Sequence, residues 1–233
     1  MIGIREMTLA CVTVLLIILG NFFPLRNFPK NLKLKHLLFH IGFAFILIME
    51  VVILEKYKLF NGHFFKLKIF GPHLIQILFC IFVLDLLSYF WHRFNHASSF
   101  LWKYHKFHHQ TAVMDPLAAY RFHPIEVFFG YQLRSGVIWL LGFSVPEISA
   151  FTFTFGLLNL FQHSNLRLPQ TIESIISQVF VTPSLHHKHH LKDYASQNSN
   201  FATIFIFWDR LFRSYTAPKA VRDNDIGLEM NNK

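Results

Sequence analysis

The fold class predicted is all-α: an integral membrane helical bundle with a helical cap on its cytosolic side. Three observations lead there. Hydrophobic residues fill 53% of the 233 positions against 15% charged, more apolar than an ordinary soluble domain. Apolar runs approaching spanning length recur along the chain. Histidine is concentrated in one stretch at helical spacing: of fifteen in all, eleven fall between His92 and His190.

The elements follow in order. Residues 7–23, "MTLACVTVLLIILGNFF", carry no charge and stop at Pro24. Only Arg5 precedes them and no small-x-small cleavage site follows, so an uncleaved membrane helix is expected rather than a signal peptide. The run 37–54 holds one acid, Glu50, and the run 73–91, "HLIQILFCIFVLDLLSYFW", holds Asp85 near its far end. Residues 125–162 are broken by Arg134 and Pro146, with Gly142 nearby. They read as a helical hairpin, either spanning as two short helices or lying partly in the interface. The tail from 217, "APKAVRDNDIGLEMNNK", is polar and expected to be disordered. These readings divide the chain into N-terminal transmembrane helices (1–72), a histidine-rich domain (73–216) and a polar tail (217–233).

Charge sets orientation and excludes some partners. Arg26, Lys30, Lys33 and Lys35 balance Lys56, Lys58, Lys66 and Lys68 across the second helix. Arg93, Lys103, Lys106 and Arg121 then tip the region after residue 91 toward the cytoplasm. The formal net charge of +9 suits an anionic lipid surface. Nucleic acid is not expected, because the basic residues flank apolar runs and form no compact basic domain. Cys11 and Cys80 both lie inside apolar runs, so no disulfide framework is indicated and a Cys-based zinc site is excluded by count.

The histidines form a pattern. Asp85, Tyr89, His92 and His96 are spaced to share one face of a helix that continues past the third apolar run. In "HKFHH", His105, His108 and His109 sit at i, i+3 and i+4. "HHKHH" repeats that arithmetic in His186, His189 and His190, and leaves His187 off the face. Eight imidazoles exceed the ligands of one ion, and neutral imidazole binds iron, zinc, copper and nickel. Two metals are therefore expected, held by the helical cap. His36, His40, His63 and His73 read as interfacial polar residues.

These boxes resemble those of the fatty acid hydroxylase/sterol desaturase superfamily, membrane di-iron enzymes of the histidine-box type. "LWKYHKFHHQ" (101–110), "RFHPIE" (121–126), "FQHSNLRLP" (161–169) and "NSNFATIFIFWDRLF" (198–212) resemble its sterol desaturase-like branch. The resemblance implies a metal-ligand set of His92, His96, His105, His108, His109, His123, His163, His186, His189 and His190, with all but His123 forming the catalytic set. The sequence departs from some relatives in carrying Asn159 where they have a further histidine. The resemblance also implies two iron ions, for which zinc can substitute in isolated protein, and O2 as co-substrate. The reaction it implies is hydroxylation or desaturation of a membrane lipid of sterol, fatty acyl or related type.

Side-chain acid–base chemistry cannot attack an unactivated C–H bond, whereas a redox metal with O2 can. No Gly-rich dinucleotide fingerprint and no cluster cysteines occur. Electrons are thus expected from an external donor, a cytochrome b5-type protein or a ferredoxin with its reductase. Carboxylates should orient the ligand rings and offset the cations' charge. Asp85 and Asp209 are placed for this, followed by Asp115 and Glu126, with Tyr89, Asn159 and Asn200 as further neighbours of the ligands. Asp209 could instead pair with Arg210 or cap a helix. "FATIFIFWDRLF" is expected to pack beside the bilayer and close the dome. The site would face the cytoplasm of a bacterial inner membrane or the endoplasmic reticulum. Two rival readings are a bis-histidine haem electron-transfer protein, whose ligands would sit within facing spanning helices, and a membrane metal transporter, which would spread polar residues through several of them.

Overall fold

The structure, a computed structural model, describes residues 4–28, 73–111, 113–218 and 226–227. The expected helix at 37–54, the flanking Lys30, Lys33, Lys35, Lys56, Lys58, Lys66 and Lys68, and His36, His40 and His63 lie outside the described residues. Helices are α1 (Ile4–Phe22), α2 (His73–Ala97), α3 (Ser99–His109), α4 (Pro124–Leu141), α5 (Val145–His163), α6 (Gln170–Ile176), α7 (Pro183–His189), α8 (Tyr194–Gln197) and α9 (Phe207–Leu211), with a 3-10 turn at Pro116–Tyr120. No strand occurs among the described residues, only isolated bridges such as Pro24 with Leu166.

Among the described residues one helix, α2, is long and apolar enough to cross a membrane; the apolar part of α1, Met7–Phe22, is shorter. Helix α2 packs chiefly against α5, and α5 in turn against α1, the 3-10 turn and α7. Cys80, Leu84, Phe143, Phe151 and Ile204 form the core between α2 and the hairpin. Tyr89, Val181, Leu185, Phe201, Ile206 and Trp208 form a second core beneath the histidines.

The hairpin expected over 125–162 is α4 and α5, and its break is sharper than its sequence suggested. Helix α4 ends at Gly142 with φ 71°, a left-handed cap that favours glycine. Ser144 N–H then donates to Glu147 Oε2 at 2.7 Å, and Pro146 sits in the first turn of α5. Arg134 does not interrupt: it lies within α4, its guanidinium over the Phe151 and Phe155 rings.

One other expectation changes. The tail from 217 is not wholly loose, for Ile226 is buried against Met114 and Leu191, and Gly227 N–H donates to His190 O at 3.1 Å. "FATIFIFWDRLF" is an irregular run of bends over 201–206 followed by α9. Asp85 pins it from α2 by accepting from Ile204 N, Phe205 N and Trp208 Nε1 at 2.8–3.1 Å.

Candidate metal centre

Four elements deliver nine histidines to one interior. Helix α2 continues to Ala97, which stacks His92 and His96 one turn apart. Ser98 then caps a new helix by accepting from Leu101 N, and α3 presents His105, His108 and His109. His163 is the last residue of α5. Pro183 starts α7, which carries His186 and His189 and ends on His190.

These side chains fall into two groups. His92, His96, His105, His109 and His189 form one, and His108, His163, His186 and His190 the other; within each, the candidate ligand atoms all lie within 4.8 Å of one another. The groups adjoin where the His109 and His190 rings stack at 4.5 Å. Seven of the nine rings are fully buried, with His92 and His96 half-buried.

The outward ring nitrogens explain how the inward ones are aimed. Nδ1–H of His92 donates to Phe201 O (2.8 Å), that of His189 to Ser199 O (2.7 Å), that of His108 to Arg121 O (3.2 Å) and that of His163 to Asn159 O (2.8 Å). A carbonyl can only accept, so each of these bonds fixes the proton on Nδ1 and leaves Nε2 a bare lone pair. His105 Nδ1 meets Glu126 Oε1 at 2.7 Å.

The bare nitrogens then face each other. His108 Nε2 lies 3.2 Å from His163 Nε2, which lies 3.0 Å from His186 Nε2. Nε2 of His92, His105 and His189 is buried with no partner. Lone pairs crowded this way repel unless a proton or a cation lies among them, and burial opposes the proton. Desolvation holds His108, His109, His186 and His190 well below the ordinary imidazole value, and takes His189 down to about 3. A neutral, nitrogen-only, converging donor set fits two transition-metal ions.

Several expected residues stand elsewhere. His123 is in neither group: its Nδ1 accepts from Ile125 N at 3.2 Å and caps α4. The proline behind it starts the helix, and that fixes the ring as a cap. Asn159 turns its backbone carbonyl, not its side chain, to His163; its amide meets Gln162 and Ala119 O. Asp85 touches no histidine, because the backbone of 204–205 and the Trp208 indole take its oxygens. Asp209 accepts from Phe201 N, Ala202 N and Ser214 Oγ, so it reaches His92 only through the Phe201 peptide. Tyr89 bonds Ser214 Oγ, and Asn200 holds Leu185 O and Thr216. Asp115 caps the 3-10 turn. The carboxylate that does touch a ring is Glu126, ranked behind Asp85 and Asp209 from sequence. His187, set aside as off the face, is fully buried with Nε2 3.1 Å from Ser164 O.

The family profile described as fatty acid hydroxylase matches residues 77–214. An ornithine lipid hydroxylase of Rhizobium tropici is 29% identical over 172 residues, 72% of this chain and 50% of that protein. Sphinganine C4-monooxygenase 1 of Arabidopsis thaliana is 28% identical over 156 residues, 66% of this chain and 59% of that protein. A very-long-chain aldehyde decarbonylase of Oryza sativa subsp. indica matches at the same identity and coverage. The chain thus spans between half and three fifths of the length of these relatives. No solved structure matches it significantly. The profile covers more than half of the sequence and every histidine of both groups: the chain belongs to the fatty acid hydroxylase family.

Proposed function

We propose that this chain is a membrane-bound, O2-dependent di-iron oxidoreductase that hydroxylates a lipid, with desaturation as the sister outcome. The observation that carries it is the convergence of nine imidazoles into two adjoining groups whose ligand atoms lie within 4.8 Å of one another. Two iron ions bound there, with O2 and external electrons, would supply the oxidising power that an unactivated C–H bond requires. The chain's own residues do the rest. Neutral rings present Nε2 lone pairs, carbonyls of Ser199, Phe201, Arg121 and Asn159 hold the rings in place, and the second core beneath them keeps bulk water out.

Hydroxylation is placed first because two of the relatives above are named as a hydroxylase and a monooxygenase, of ornithine lipid and sphinganine. Their names also favour a substrate with a long alkyl chain beneath a polar head. Electrons would come from a separate cytochrome b5-type or ferredoxin carrier. In this reading α2 spans the bilayer, further helices in 1–72 complete a multi-pass anchor, residues 73–216 form the catalytic domain, and the cage opens to the cytoplasm.

Lipid profiling by mass spectrometry of cells with and without the gene tests this. A lipid that gains one oxygen, or loses two hydrogens, should accumulate with the wild-type protein and be absent with His108→Ala. The same product from both proteins would refute the catalytic assignment.

A further inference from the structure

The two histidine groups differ in charge, not only in number. Among the nine rings one meets a formal negative charge: His105, through Glu126. The other outward contacts recorded for the group members run to backbone carbonyls. Glu126 is buried, at 4% exposure. No Lys or Arg pairs with it among the described residues, and its second oxygen, Oε2, is buried without a donor. Asn95 Nδ2 offers Oε1 only a long bond of 3.4 Å. A buried carboxylate so poorly compensated is costly. What can offset it lies behind the His105 ring: a cation held by the five-histidine group. No carboxylate touches a ring of the four-histidine group: Asp115 acts on His163 only from a distance, its Oδ1 engaged by Leu117 N and Ala118 N, and Nδ1 of His186 and His190 is buried without a partner.

Local structure explains the placement. His123 caps α4, Pro124 opens it, and Glu126 falls in its first turn, where the helix dipole favours a carboxylate. That turn abuts α3 at His105.

We propose that Glu126 is a positioning residue that makes the five-histidine position the tighter of the two, the one that takes up its ion first. The inference rests on reading the nine histidines as a two-ion site. Ion uptake at His92, His96, His105, His109 and His189 is favoured by the carboxylate's charge, passed through the imidazole, and by the ring orientation it enforces. The four-histidine position fills second because no carboxylate touches its rings: His108 and His163 lean on backbone carbonyls, and His186 and His190 on nothing.

The test is a Co2+ titration of the full-length, metal-stripped protein in detergent, following d–d absorption under chelator competition. Wild type should bind two ions in two resolved steps. His96→Ala should remove the tighter step and His186→Ala the weaker. Glu126→Gln should weaken the tighter step by about tenfold to a hundredfold and shift its d–d bands, with the weaker step unchanged and Glu126→Asp recovering part of the loss. The proposal is overturned if the two steps are equal, if the tighter step disappears in His186→Ala, or if Glu126→Gln weakens both or neither. Should Glu126→Gln not fold, the order of loss in the two histidine variants still decides. Fewer than two ions bound by wild type would instead refute the two-ion reading itself.

Discussion

His187 is the buried imidazole that the ligand arithmetic leaves out, and it limits the acid range of the fold. Burial first, then the nearby Arg26 charge, lowers its pKa from the ordinary 6.5 to about 3. As pH falls through the ordinary value, the unfolded chain takes up a proton that the folded ring refuses. Stability present above that value is therefore lost on acidification, at up to ~1.4 kcal/mol per pH unit for each such ring. His189 adds in the same direction. The melting temperature of the metal-stripped protein should fall between neutral pH and pH ~5. His187→Gln, which keeps a donor for Ser164 O, should make that decline shallower by about one proton; an unchanged slope would contradict the assignment. At this scale the sequence was legible where spacing carries the information: H-x3-H and two H-x2-H-H patterns named eight of the nine histidines that converge, and the family resemblance added His163. It was illegible where direction matters. Asp85 and Asp209 announce buried charge, but nothing in their neighbours says that backbone N–H groups rather than imidazoles receive them. The ring partners at Ser199, Phe201 and Arg121 are main-chain carbonyls that no residue type marks.

The segment 199–216 is the element on which the five-histidine group leans. Asn200 adopts φ 55°, a left-handed conformation that asparagine tolerates better than most residues, and the carbonyls on either side of it both reach cage rings, Ser199 to His189 and Phe201 to His92. Asp209 fixes the loop from below through Phe201 N, Ala202 N and Ser214 Oγ. Burial pushes its carboxyl up, but the three donors and the Arg93 charge work against that. Asp209→Ala would leave those buried donors without an acceptor, at about 1–3 kcal/mol each. Purified Asp209→Ala should unfold at lower denaturant and retain less metal than wild type, and Asp209→Asn should fall between them. Full metal content in a destabilised Asp209→Ala protein would show that the loop does not aim the rings. The helices around it were readable because apolar period and punctuation agree: Ser98, Pro124, Gly142 and Pro183 each sit within a residue or two of a boundary. The loop was not, since its shape comes from side chains binding main-chain groups, locally through Asp209 and Asn200 and from more than a hundred positions away through Asp85 on α2.

For the whole molecule, the ends of the helices decide which side of a membrane the cage would face. Helix α2 reaches the cage at its C-terminal end and α5 at His163, its last residue. Helix α1 also ends there, since Leu25 N–H donates to Asn165 O and Arg167 N–H to Phe23 O. Helix α4 begins beside the cage at His123 and Glu126 and leads away, and α5 returns to it, so the hairpin starts and ends at the cage. Were the hairpin to enter a membrane, both histidine-rich stretches would share a compartment, as a joint site requires. Basic residues at that end, Arg93, Lys103, Lys106 and Arg121, argue for the cytoplasm. Tyr194, 82% exposed at the start of α8, just past His190, is the natural reporter. With Tyr194→Cys placed in a Cys11→Ser background, a membrane-impermeant maleimide added outside sealed cells should leave the protein unlabelled, and permeabilisation should label it fully. Labelling from outside would reverse the orientation. It would also remove any soluble cytosolic reductant from contact with the cage, since electrons would then have to arrive from a carrier on the opposite face.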